Sequence, residues 1–246
     1  MLYLLLGLPD SGRREVLLDL VSESSSVILL PEGESDHPID DKLAKLPSVS
    51  LERWRWRDGS FDLASNALQG KDIVFLVTET TIDPVDQIEA TKKFVNRWGL
   101  TLGRILTIAH CGLAEAHPEL HPWHQGCIHF SDAVLLNRRE QVSQKWLKEF
   151  QDEFRRDYFP CFFEFVKNGR LENPFHVLDP TPRRLSLFFE KDDEALWEDC
   201  EEDESGDGGS DFPKEDPYVA RYPSGQRCKP LPDPKAILSA TKSQSA

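Results

Sequence analysis

Residues 7–14, "GLPDSGRR", have the types and spacing of an anion-binding loop. The phosphate-loop pattern is G-x-x-x-x-G-K-[ST]. Gly7 and Gly12 stand at its two glycine positions, with Asp10 and Ser11 between them. Such a loop works because successive backbone N–H groups and a helix N-terminus converge on an anion. That part depends on glycine geometry and is retained. The lysine position holds Arg13 and the hydroxyl position Arg14. Arginine keeps a positive charge but is longer and planar, so it does not replace lysine. Arg14 has no oxygen to offer Mg²⁺, so the pattern argues against Mg²⁺ dependence. Asp10 adds a negative charge where phosphates would lie.

The elements around the loop fit this use. "LYLLL" (2–6) reads as a strand buried on both faces, and "RREVLLDLVSES" as a helix with Val16, Leu17, Leu20 and Val21 on one stripe. "SVILLP" (26–31) is a second short strand, followed by a loop with a short helical piece over 32–48. "SVSLERWRWRD" alternates as a half-buried strand, and "FDLASNAL" (61–68) is a helix candidate. Further strands are expected at 72–80, 103–111, 131–138 and 161–166, with helices over "PVDQIEATKKFVNRWGL" and "VSQKWLKEFQDEFRRDY". Strands alternating with helices predict right-handed βαβ units and a mostly parallel, doubly covered sheet. The fold class is therefore α/β, three-layer, of P-loop NTPase type, over residues 1–178.

Two downstream segments complete a pattern. "LVTETTIDP" (76–84) supplies Glu79, Thr80, Thr81, Asp83 and Pro84; "FSDAVLLNRRE" (130–140) supplies Asp132, Leu136 and Asn137. With the loop, in this order, they resemble the G domain of the CobW/HypB/UreG-like P-loop GTPases over residues 1–175. The resemblance implies GTP or GDP as ligand, held by Gly7, Asp10, Ser11, Gly12, Arg13 and Arg14, with Glu79 in the second motif. The base-reading N-K-x-D would correspond to Asn137, Arg138, Arg139 and Glu140. Glutamate can accept from the guanine N1–H and N2–H₂ as aspartate does, but its extra methylene shifts base or loop.

The departures fall where the family does chemistry. Ile82 lies near where a glycine would let a backbone N–H approach the γ-phosphate. The family's metal-binding C-x-C-C is absent, and "ILLPEGESD" stands near its place. The large C-terminal domain common in CobW proteins is not expected here, an acidic tail standing in its place. The expectation is a pseudo-GTPase with weak or no hydrolysis, acting as a binding or scaffold module. One alternative is a divergent GTPase in metal-cofactor handling, with Arg13 replacing lysine and Glu79 holding Mg²⁺. Another is a protein–protein adaptor that binds no nucleotide.

Five of seven histidines lie within "HCGLAEAHPELHPWHQGCIH" (110–129). His121, His124 and Cys127, at i, i+3 and i+6, are the candidates for a Zn²⁺ site. The spacing matches no standard zinc signature, and the competing reading is a His-rich segment with Trp123 and Ile128 packed on the sheet. "RWRWR" (53–57) mixes arginine with tryptophan, but its alternation fits a strand equally well. Cys111 beside His110 is an adjacency with no local signature of a nucleophile.

The net charge of −14 is concentrated in one segment: residues 190–216 hold fourteen Asp or Glu against two Lys. That segment cannot bury enough apolar surface to offset chain entropy and is expected to be disordered. Before it, 179–189 could add a strand; after it, 217–246 is a short basic, Pro-rich end. The acidic or the basic segment could dock a protein partner, or the acidic one could lie over Arg13, Arg14 and Arg138. Nucleic acid and membrane partners are not expected. Five scattered cysteines without a C-x-x-C, and an N-terminus without a basic leader, point to a reducing cytoplasm.

Overall fold

The computed structural model describes residues 1–21, 24–190 and 215–244. The acidic run expected to be disordered lies, over 191–214, outside the described residues. Contacts divide the chain into one unit of Met1–Leu185 with Leu231–Ala246 and a smaller one of Ser186–Pro230.

The larger unit is built on a nine-stranded sheet of order β4-β3-β2-β5-β1-β6-β7-β8-β9. The strands are β1 Leu2–Gly7, β2 Ser26–Pro31, β3 Val49–Arg57, β4 Ser60–Asp62, β5 Ile73–Val77, β6 Leu102–His110, β7 Ala133–Asn137, β8 Phe162–Lys167 and β9 Arg170–Leu171. All pairings are parallel except β3 with β4 and β8 with β9, at the two edges. Every residue of β1 and of β2 is buried. That explains their unbroken apolar sequence, since both faces are covered by helices. On one face, α1 (Arg13–Leu20), α2 (Pro38–Ala44) and α7 (Pro174–Leu178) place Val16, Leu17, Leu20, Leu43 and Val177 on Leu5, Ile28, Phe75 and Leu135. On the other, α5 (His121–His129) and α6 (Gln144–Arg156) place Ile128, Leu147, Phe150 and Phe154 on Ala109, Val134 and Leu136. The α3 helix (Pro84–Trp98) packs beside α5, and α4 (Cys111–Ala116) follows β6.

β1 is the switch point of the sheet: β5 lies to one side and β6 to the other. In open α/β sheets, ligands bind beyond the strand C-termini at this reversal. The loops after β1, β2, β5, β6 and β7 all open there.

Two expected elements are corrected. No helix forms over 61–68. Asp58 and Gly59, with φ of 49° and 69°, make a tight hairpin turn that sends the chain back antiparallel as β4. Phe61 then packs edge-on against Trp54, 4.8 Å between ring centroids. No strand forms over 179–189. The chain is held there by Asp132, whose carboxylate accepts from Arg183 N at 2.6 Å and pairs with Arg184 at 3.0 Å. The "RWRWR" segment is strand β3, with Trp54 fully buried and donating to the Val77 carbonyl at 3.1 Å. The basic end carries a helix, α8 (Pro234–Gln244).

Candidate phosphate-loop site

The chain leaves β1 at Gly7 and turns over Leu8–Ser11, Ser11 N donating to the Leu8 carbonyl at 3.2 Å. Asp10 sits exposed at the tip with φ 57°, and Gly12 enters α1 with φ 94°. Gly12 has a second constraint: a Cβ there would lie 2.1 Å from Asn137 Nδ2. Asn137, at the end of β7, donates through that nitrogen to the Ser11 carbonyl at 2.8 Å. Its Oδ1 accepts from Arg138 N at 2.9 Å. The first and third motifs are thus joined by a buried side chain. Gly7 is equally crowded, a Cβ there falling 2.6 Å from Ser11 Oγ and 2.9 Å from the Ile108 carbonyl.

The two arginines are turned into the protein, 6% and 7% exposed. Arg13 donates to the Thr78 carbonyl, beyond β5, and its Nη2 lies 2.7 Å from Glu34 Oε1. Arg14 pairs with Asp40 at 2.9 Å, donates to the Ser35 carbonyl at 3.0 Å and approaches Glu34 Oε2 at 3.6 Å. Thr80 N also donates to Glu34 Oε1, at 3.3 Å. A single carboxylate therefore gathers the guanidinium at the lysine position, the guanidinium at the hydroxyl position and a backbone N–H after β5. Asp40 is held in turn by the capping box of α2, accepting from His37 N at 3.2 Å, and by Arg53 at 3.2 Å.

A cavity of about 300 Å³ lies over the loop, lined by Asp10, Gly12, Arg13, Arg14, Glu15 and Glu34 among others. Its two cations are matched by carboxylates before any ligand arrives. The residues present do not fit a Mg²⁺–triphosphate: no hydroxyl follows Arg13, and the guanidinium in its place is locked to Asp40.

The other expected site residues divide. Glu79 turns to the segment after β2; its carboxylate accepts from Thr81 Oγ1 at 2.5 Å, and a Cβ on Gly33 would fall 2.2 Å from it. Buried Gln87 pins the same stretch, donating to the carbonyls of Glu79 and Ile82 at 2.8 and 3.1 Å. Arg138, with φ 55°, pairs with Glu15 of α1 at 3.1 Å. Glu140 is exposed on the 3₁₀ turn Arg139–Gln141. Its charge reaches His110, whose pKa is nevertheless lowered, first by burial and then by Arg138. His110 Nδ1 accepts from Leu113 N at 3.1 Å and caps α4, while burial pushes the Cys111 thiol up to about 12. Asp132, of the third motif, is fully buried and accepts from Ile105 N at 2.7 Å, at the opposite end of β7 from Asn137.

The zinc candidates do not assemble. His121 Nε2 lies 2.7 Å from Glu153 on α6. His124 and Cys127 are buried, and burial lowers the imidazole to about 3 and raises the thiol well above its usual value. Among the described residues, no three His, Cys, Asp or Glu side chains are grouped to hold a metal. The reason is helical phase: positions three apart drift by about 60°, so i, i+3 and i+6 fan out rather than converge.

Glu34, Asp40 and Thr78 escaped the sequence reading. The available signal was the pair Arg13–Arg14 entering a buried helix, since buried guanidinium groups require carboxylates. The next acidic cluster, "EGESD" with Asp40, follows β2.

No family model and no curated protein matches the sequence. Among solved structures, the chain is similar to a zinc-bound triple mutant of the YjiA GTPase (13% identity, TM-score 0.50, 72% of this chain and 60% of that one). It also matches zinc-bound YjiA from E. coli (14%, TM-score 0.47, 74% and 61%) and HypB from Helicobacter pylori in complex with nickel (12%, TM-score 0.41, 70% and 80%). The chain thus spans about 60% of the length of the first of these. No helix among the described residues is long and apolar enough to cross a membrane. The sheet order, the strand C-terminal loops and the first of these likenesses together give the fold: an α/β P-loop GTPase-like domain.

Proposed function

We propose that this domain is a pseudo-GTPase, a P-loop scaffold that has exchanged nucleotide hydrolysis for a binding role. The observation that carries the reading is the Glu34 carboxylate, held by Arg13 at 2.7 Å and by Thr80 N at 3.3 Å. It occupies the guanidinium at the lysine position and a backbone N–H beyond β5, two donors that an anionic phosphate would need. A nucleotide would have to displace Glu34, and then bring several negative charges beside Asp10 and Glu15. Arg14, tied to Asp40, leaves no hydroxyl for Mg²⁺. The loop becomes a structural knot between β1, β2, β5 and β7, and GTP or GDP binds weakly.

Protein partners fit a scaffold better than a small ligand does. Docking by the acidic run belongs to this reading. Its folding back over Arg13, Arg14 and Arg138 does not, because each of these already has a carboxylate partner.

The test is calorimetric titration with GTP, GDP and ATP, with and without Mg²⁺, alongside phosphate-release assays. The reading expects no affinity tighter than millimolar and no Mg²⁺-dependent turnover. Micromolar binding with turnover would establish the divergent GTPase instead.

A further inference from the structure

Away from the phosphate loop, a groove of about 930 Å³ runs along α6. Trp146, Glu149, Phe150, Glu153 and Arg156 form its α6 wall, a stripe of i, i+3, i+4, i+7 and i+10. At 1.5 Å per residue this stripe is about 15 Å long. Glu115 of α4 and His121 and His124 of α5 form the facing wall. Trp146 and Phe150 stack at 5.1 Å between ring centroids, leaving an aromatic floor between acidic edges. Four carboxylates line the groove (Glu115, Glu149, Asp152 and Glu153) against one cation, Arg156. Lys145 and Arg155 offset part of that charge, pairing with Glu149 at 3.8 Å and Asp152 at 3.2 Å, and Glu153 lies 2.7 Å from His121 Nε2, which leaves Glu115 as the lining carboxylate not engaged in this way.

His124 is the second, independent observation. It is 1% exposed, and neither ring nitrogen has a hydrogen-bond partner. An unpaired buried polar group is destabilising, and a donor entering the groove would satisfy the acceptor nitrogen of the neutral ring. Its ring meets those of Trp123 and Phe150 in T-shaped contacts, 5.2 and 6.1 Å between centroids.

We propose that this groove docks a basic peptide segment of a partner protein. A guanidinium or ammonium side chain lies over the Trp146 ring between Glu149 and Glu153, and a peptide donor reaches the His124 imidazole. Cations are attracted to aromatic faces, and Trp is the best of them. The groove's length suits four to five extended residues at about 3.3 Å each, which favours a peptide over a free amine. This inference is independent of whether the phosphate loop binds nucleotide.

The test is fluorescence anisotropy of the full chain with a labelled pentapeptide carrying three arginines, and with its glutamate counterpart. The proposal expects binding of the arginine peptide alone, weakened at least tenfold by Trp146→Ala and by the pair Glu149→Gln/Glu153→Gln. Glu149 is exposed and Glu153 partly so, and both replacements keep the side chain's size, so the pair keeps the test readable if Trp146→Ala unfolds. Neutralising Asp199, Glu201, Glu202 and Asp203 in the acidic run is expected to leave the affinity unchanged. The proposal is overturned by no binding at millimolar peptide, by equal binding to the groove variants, by loss of binding in the acidic-run variant, or by free arginine competing as well as the peptide.

Discussion

Arg13 Nη2 lies 2.7 Å from Glu34 Oε1, and the same carboxylate oxygen accepts the backbone N–H of Thr80 at 3.3 Å. An internal anion therefore stands against the cation at the lysine position of a phosphate loop. The glycine spacing that shapes the loop survives, while its charge is answered from within the chain.

Restoring the two consensus residues is not enough to restore activity. In the double variant Arg13→Lys/Arg14→Thr, one ammonium cannot serve both the Thr78 carbonyl and Glu34, and Asp40 keeps Arg53 alone as a cation partner. Loss of these buried partners is expected to lower stability by about 3 kcal/mol, read by urea denaturation. Phosphate release with GTP and Mg²⁺ stays at background, because Glu34 remains in place.

Gly12 and Asn137 are expected to be coupled. Gly12→Ala suffers both from its φ of 94° and from the amide 2.1 Å from the new Cβ. Asn137→Ala removes a buried hydrogen bond, a loss of about 1–3 kcal/mol. It also clears the space, so Gly12→Ala in that background costs only the backbone strain of about 1–2 kcal/mol. A double-mutant cycle by chemical denaturation is expected to show a coupling of about 1 kcal/mol. Strict additivity would mean that Asn137 does not press on the loop.

Acid is expected to destabilise this domain through His124. Burial lowers its folded pKa to about 3 from the usual 6.5. The unfolded chain then binds the proton more readily, so stability falls as pH drops from about 6.5 towards 3, by at most ~1.4 kcal/mol per pH unit. His110, also lowered by burial, adds in the same direction. Replacing His124 by Phe is expected to flatten the profile of denaturation midpoint against pH over that window. An unchanged slope would assign the acid sensitivity to other groups.

The sheet was legible because β1, β2, β5 and β7 are short, nearly unbroken apolar runs, the signature of strands covered on both faces. Gly12 and Asn137 were legible because motif spacing reports backbone geometry. The fate of Arg13 and Arg14 was not, since it depends on where the chain returns after β2, twenty residues on. Residues 61–68 misled because their apolar positions suit a helix, while the Asp58–Gly59 turn ahead of them dictates an antiparallel return. His121, His124 and Cys127 misled for a third reason: nearness in sequence on a helix is not convergence in space.

The most direct test removes Glu34. Calorimetry and thermal melts would compare the unaltered chain with Glu34→Ala, which empties the position, and Glu34→Gln, which keeps its bulk without the charge. The account predicts that Glu34→Ala lowers the melting temperature by exposing Arg13 to an unpaired state. It also predicts that GTP or pyrophosphate then binds at least tenfold more tightly and partly restores the melt, with Glu34→Gln between the two. Unchanged affinity in Glu34→Ala, or micromolar GTP binding by the unaltered chain, would contradict it.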